Sequence, residues 1–152
     1  GLALRVGERI FITPLVSVVE SLVPRAGQTR TLAGGGAIAD VRGEFSPIMH
    51  AGEVFYTPED PPRDEPGILV VIDAGASRVA LRVDEVIGQY QVVQKSLEQH
   101  YQSVAGIAGA TILGDGRVAL IIEPTALPSL DPNAAARRAE EDSHGRRFDL
   151  AG

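Results

Sequence analysis

Most apolar segments in this chain are short, each bounded by glycine, proline or charge. That rhythm favours strands over helices. Leu2–Val6 alternates and reads as a strand. Arg9–Leu15 and Val18–Leu22 are β-branched and apolar, and the Pro14 between them suits a bulge or an edge position better than a central strand. Thr31–Gly36 reads as a loop. Ala37–Val41 and Glu44–Met49 flank Arg42-Gly43, a hairpin turn, and Ile68–Asp73 and Arg78–Val86 flank Ala74-Gly75-Ala76-Ser77, a second. Ala110–Leu113 and Arg117–Ile122 pair around Gly114-Asp115-Gly116, where a backbone with positive φ calls for glycine or an Asp/Asn residue. The proline-rich Thr57–Gly67 is a long loop. Ser96-Leu97-Glu98-Gln99 has the form of a capping box, which predicts a short helix near 97–102.

The second half restates the first. Arg9-Ile10-Phe11-Ile12 through Glu20 is similar to Arg78-Val79-Ala80-Leu81 through Glu85, and Ala37–Ile48 is similar to Ala110–Ile121. Two all-β halves too short for sandwiches predict two small barrels, roughly 9–66 and 67–130, with exchange of strands between them allowed. Closing a sheet protects the edges of short strands. The expected fold class is therefore all-β, two small barrels sharing one core. From 131 to 152 the composition turns charged, without a sustained apolar face, and reads as a tail or linker.

At 152 residues the chain can bury roughly 70% of its unfolded surface without a covalent staple. It has no cysteine, which removes disulfides, thiolate metal sites and a Cys nucleophile and fits a reducing cytoplasm. A net charge of -6 argues against nucleic-acid binding. No apolar run is long enough to insert in a membrane. The chain opens directly in an amphipathic strand, so the expectation is a piece of something longer.

Chemistry-bearing residues are sparse. His50, His100 and His144 lack the i+3 or i+4 partners of a metal site, and Ser17, Ser46 and Ser96 lack a catalytic frame. Gly34-Gly35-Gly36 has no following Lys-Ser/Thr, so it reads as a flexible loop before it reads as an anion cradle. Adjacent acids Asp84-Glu85 are expected on opposite faces of one strand. No catalytic residue, cofactor site or metal site is predicted. Glu20 and Arg42 stand out because a charge next to apolar strands is normally paired. They predict an ion pair that holds one barrel, that shapes a groove for a partner, or both. Phe45, Ile48 and Met49 follow the Arg42-Gly43 turn. Alternation turns some of them inward, and the others are candidates for an exposed contact patch.

Taken together, several segments resemble the CheW-like family over residues 1–130, most closely the C-terminal regulatory domain of the chemotaxis histidine kinase CheA. They are Arg5-Val6-Gly7 with Phe11-Ile12-x-Pro14-Leu15, Val19-Glu20-Ser21-Leu22, Val41-Arg42-Gly43-Glu44-Phe45-x-Pro47 and Val83-Asp84-Glu85-Val86-Ile87-Gly88. Gln91-Val92-Val93-x-Lys95-Ser96-Leu97 and Gly106-Ile107-x-Gly109 through Gly116 complete the set. The resemblance implies two five-stranded SH3-like barrels and no catalysis within this segment, the ATP-binding and phosphorylated domains lying upstream. It implies a regulatory and scaffolding role at chemoreceptor arrays in the cytoplasm. The partners implied are a CheW adaptor, the cytoplasmic tip of a chemoreceptor and the kinase catalytic domain in cis. Carried over by position, Glu20 and Arg42, with Gly43 beside them, match a pair near the receptor-facing groove, and Phe45, Ile48 and Met49 fall in the barrel expected to meet the adaptor. His50-Ala51-Gly52 and Thr57–Gly67 depart from the commoner pattern. Two alternatives stay open, a free-standing CheW-type adaptor and a small β-barrel enzyme or ligand carrier.

Overall fold

The apolar runs are dense because the central strands bury both faces, each against a different core. The computed structural model describes residues 1–55, 67–91 and 105–131. They form β1 (Leu2–Val6), β2 (Arg9–Thr13), β3 (Val18–Leu22), β4 (Thr29–Thr31), β5 (Ala37–Val41), β6 (Glu44–His50), α1 (Ala51–Val54), β7 (Ile68–Asp73), β8 (Arg78–Val83), β9 (Glu85–Gln89), β10 (Ile107–Ile112) and β11 (Val118–Ile122). Short 3-10 turns cover Leu15–Ser17 and Pro124–Leu130. Sheet A has the order β10-β11-β2-β1-β9 and sheet B the order β3-β7-β8-β6-β5-β4.

The all-β expectation holds, with three differences in detail. Sheet B has six strands rather than five, because Thr29–Thr31 pairs with Ala37–Ala39. All three residues of β4 are exposed, so backbone pairing makes this strand with no apolar signal to announce it. The run Arg78–Val86 breaks at Asp84, and its two parts enter different sheets. The four-residue α1 follows His50 where no helix was expected. The helix expected near 97–102, most of the Thr57–Gly67 loop and the tail beyond Asp131 lie outside the described residues. Asp131, read as the start of the tail, is buried at the end of the last 3-10 turn.

Both sheets are assembled by the same plan. In sheet A the hairpin β10-β11 lies parallel to β2, which pairs antiparallel with β1, which pairs with β9. In sheet B the hairpin β5-β6 lies parallel to β8, followed by β7 and β3. Strands are exchanged between the sequential halves 9–66 and 67–130. After β1-β2 the chain leaves sheet A to place β3 in sheet B, and after β7-β8 it leaves sheet B to place β9 in sheet A. The hairpins β1-β2 and β7-β8 thus each donate the next strand to the other sheet.

Strand alternation then sorts side chains between cores. Leu2, Leu4 and Phe11 of sheet A join Met49, Val70, Ile72, Val79, Leu81 and Val83 of sheet B in a core shared by the two sheets. Their neighbours Ala3, Ile10 and Ile12, with Ala119, form a cluster belonging to sheet A alone. Ala39, Val41, Leu69, Val71 and Ala80 form the counterpart of sheet B. Strands buried on both faces read as continuous apolar runs rather than as strict alternation. In the shared core Phe11 stacks on Phe55, with ring centroids 4.8 Å apart. Gly106 leaves room for that stack, since a Cβ there would stand 3.0 Å from Cε1 of Phe55 and 2.6 Å from Cδ1 of Leu130.

Candidate partner-binding surface

The β5-β6 hairpin turns through two residues with positive φ, Arg42 at 54° and Gly43 at 85°. Such a turn matches the twist of its strands, and glycine is at home in it. Arginine is less so, which makes its presence at the first position informative. Asp40 Oδ1 accepts the Gly43 N–H at 2.9 Å and sets the bend. From this tip Arg42 Nη2 reaches Glu20 Oε2 at 3.0 Å. Glu20 lies on β3, the opposite edge of sheet B, four strand positions from β5 in the order β3-β7-β8-β6-β5. A contact between strands that far apart requires the sheet to curl on itself, so the pair ties edge to hairpin. Arg42 is mostly exposed and Glu20 about three-quarters covered, which leaves the pair open to a partner on one side.

β3 is irregular where Glu20 sits. Its register against β7 shifts between Val18↔Ile72 and Glu20↔Val71, leaving Val19 as an extra residue. Such a bulge re-aims neighbouring side chains. Val18 packs against the shared core and Leu22 against the core of sheet B, while Val19 faces out. Just before β3, Leu15 and Val16 are also exposed, Val16 at 96%. The result is an apolar row, Leu15-Val16-Val19, along the segment that carries Glu20. The sequence reading missed this row because β-branched runs look like core. The available signal was Pro14, which places the following strand at an edge with an open side.

The other expected contact residues part company. Phe45 is 64% exposed, opposite Asp40 on the hairpin. Ile48 is half-buried against the core of sheet B. Met49 is 2% exposed and belongs to the shared core, so it presents no contact surface. Parallel pairing explains this, since Met49 lies beside Leu81 and follows it inward. Gly43 is exposed, and a Cβ there would meet nothing within 4 Å, so its demand is purely conformational.

The expectation for Asp84 and Glu85 is corrected. They do not diverge on one strand but converge on Arg5, at 3.8 Å from Nη1 and 3.0 Å from Nε. Asp84 stands in the break between β8 and β9, where strand alternation does not apply. His50 is half-buried at the end of β6, and its Nδ1 lies 3.2 Å from Arg82 Nη1. Burial lowers its pKa below the ordinary 6.5, the Arg82 charge lowers it further, and Glu53 opposes both. A guanidinium can only donate, so Nδ1 is the acceptor in this contact, which favours the neutral ring. His100 and His144 lie outside the described residues. Among the described residues no three His, Cys, Asp or Glu side chains converge as a metal site would require. In the triple-glycine turn Gly35 N–H is already bonded to Leu32 O at 3.1 Å.

Residues 1–131 match the family model described as the CheW-like domain. The chain belongs to the CheW-like domain family. Over 131 residues it is 45% identical to the chemotaxis protein CheA of Salmonella typhimurium, a match covering 86% of this chain and 20% of that protein. The chemotaxis protein CheA of Bacillus subtilis is 37% identical over 128 residues, 83% of this chain and 19% of that protein. This CheW-like chain thus spans about a fifth of the curated relatives it matches. In fold it is similar to the scaffolding protein TtCheW from Thermoanaerobacter tengcongensis, with a TM-score of 0.60, 16% identity, and coverage of 80% of this chain and 86% of that one.

Proposed function

We propose that this CheW-like domain is the regulatory and scaffolding module of a chemotaxis histidine kinase. It docks on a CheW-type adaptor and on the helical tip of a chemoreceptor, and couples receptor state to a kinase catalytic domain carried in cis. The observation that carries the reading is the exposed apolar row Leu15-Val16-Val19 next to the half-open Glu20–Arg42 pair. An apolar strip with a charged rim suits a helix that presents an apolar stripe and polar flanks. The similarity to CheA proteins at 45% identity supports the kinase context. Phe45, exposed on the hairpin, and Ile48 behind it are assigned to the adaptor side, and Gly43 stays with Glu20 and Arg42 on the receptor side. The work is mechanical. Receptor states that press differently on the strip bias the attached domain by a coupling free energy of about 1–3 kcal/mol. The site is cytoplasmic, at receptor arrays, and among the described residues no helix is long and apolar enough to cross a membrane.

The likeness to a scaffolding CheW protein favours one second reading, a free-standing adaptor. An upstream reading frame with a nucleotide-binding domain selects the kinase, and an initiator Met at this point selects the adaptor. The direct test is a calorimetric titration with the CheW adaptor of the same genome, repeated with a receptor-tip fragment. Saturable one-to-one adaptor binding is expected. Val16→Asp, at a fully exposed position, is expected to weaken the receptor-tip complex about tenfold or more without moving the unfolding midpoint. Absence of binding to both ligands, with all components folded, would sink the proposal.

A further inference from the structure

The chain crosses between the sheets twice, at topologically equivalent points, and builds the two crossings differently. From β2 to β3 it uses the four residues 14–17, a 3-10 turn behind Pro14. Among the described residues no side chain caps that turn, and its bonds are local, Ser17 N–H to Pro14 O at 3.0 Å and Val18 N–H to Leu15 O. From β8 to β9 it uses one residue, Asp84. That residue is held from several sides. Its N–H donates to Arg5 O at 2.9 Å, and its Oδ2 accepts the Gly7 N–H at 2.7 Å. Arg5 Nη1 closes the ring by donating to Gly7 O at 3.0 Å, and Arg5 Nε donates to Glu85 at 3.0 Å. The β1-β2 turn of sheet A therefore grips the point where sheet B hands its chain over. The longer crossing carries Leu15 and Val16, the exposed apolar residues.

We propose that Asp84, gripped by Arg5 and Gly7, is the pivot about which the two sheets shift, and that the Pro14–Ser17 crossing is the compliant side on which docking at Leu15 and Val16 acts. A joint tied to the other sheet on one side and one tied only to its own turn on the other would convert pressure on the strip into rotation rather than translation. The docking half of this inference rests on the function proposed above, whereas the pivot belongs to the fold and is tested without any partner.

The chain has no cysteine, so pairs of introduced cysteines can carry spin labels cleanly. Thr29→Cys with Ala108→Cys reports across the sheets, and Ser21→Cys with Thr29→Cys reports within sheet B. In an Asp84→Ala background the cross-sheet distance distribution is expected to widen about twofold while the within-sheet distribution keeps its width. An unchanged cross-sheet width overturns the pivot, and so does equal widening of both pairs. If Asp84→Ala does not fold, amide exchange in the unsubstituted chain decides. The Gly7 and Asp84 amides are expected to exchange about tenfold or more slowly than those of Ser17 and Val18. Equal protection at the two crossings overturns the proposal. Failure of the adaptor and receptor titrations with a sound pivot would instead strike at the proposed function.

Discussion

The hairpins β5-β6 and β10-β11 occupy the same place in their sheets, yet their tips do different work. Both turn on a glycine in the left-handed region, Gly43 at φ 85° and Gly116 at φ 87°. Arg42 at the first tip reaches across sheet B to Glu20 on the far edge. Among the described residues the second tip pairs with itself, Asp115 Oδ2 taking Arg117 Nε at 2.6 Å. The acid of sheet A that corresponds to Glu20 is Glu85 on β9, and it takes Arg5 from the adjacent strand β1 instead. Strand topology is shared by the two halves, then, while charge placement is not. Sheet B is tied from edge to hairpin beside an exposed apolar row. Sheet A spends its charges on the crossing between the sheets.

The widest test of this comparison removes what both sheets have in common. Phe11→Ala empties the stack on Phe55 in the shared core, and a loss of about 3–5 kcal/mol is expected in denaturant unfolding, as one cooperative transition. Two separate transitions would mean that the sheets are independent after all. Next come the two turns. Gly43→Ala and Gly116→Ala each add a Cβ that meets nothing within 4 Å, so only backbone conformation is at stake. Each is expected to cost about 1–2 kcal/mol. A large difference between the two would show that one tip carries more than its turn.

Smaller effects separate the tips. Arg42→Ala and Glu20→Gln are each expected to move stability by less than about 1 kcal/mol, because the pair is open to water on the arginine side. If either also abolishes receptor-tip binding in the titration, the pair serves the partner. If binding is untouched, the pair only ties sheet B. The least effect concerns acid. His50 is the histidine of the described residues, and it lies in sheet B. Its folded pKa is lowered from 6.5, so the unfolded chain takes up a proton first as pH falls. The stability it contributes is full above pH 6.5 and is lost progressively as pH falls below 6.5 toward the folded value. Urea midpoints measured across that range are expected to fall with pH in the parent and to flatten in His50→Gln.

Several of these features were legible in the chain. The hairpins at Arg42-Gly43 and Gly114-Asp115-Gly116 announce themselves by turn residues between apolar runs, and local backbone preference is enough to place them. The association of Glu20 with Arg42 followed from the cost of leaving a charge unpaired near apolar strands. β4 was not legible, because an exposed Thr-Arg-Thr becomes a strand only when β5 supplies a ladder. The convergence of Asp84 and Glu85 on Arg5 depends on a break in the strand that the run Arg78–Val86 does not show. Met49 looked like an adaptable surface residue until its pairing with Leu81 turned it inward.

Periodicity and turn chemistry determined most of the strands and the all-β class, because these depend on interactions within a few residues, while the family was legible only as a resemblance carried by the motifs. Which sheet each strand joined, which face of Leu15–Leu22 stayed open and which acid met which arginine were decided by tertiary structure. Those outcomes depend on pairings between residues as far apart as Arg5 and Glu85, and the chain sets their terms only once it has closed on itself.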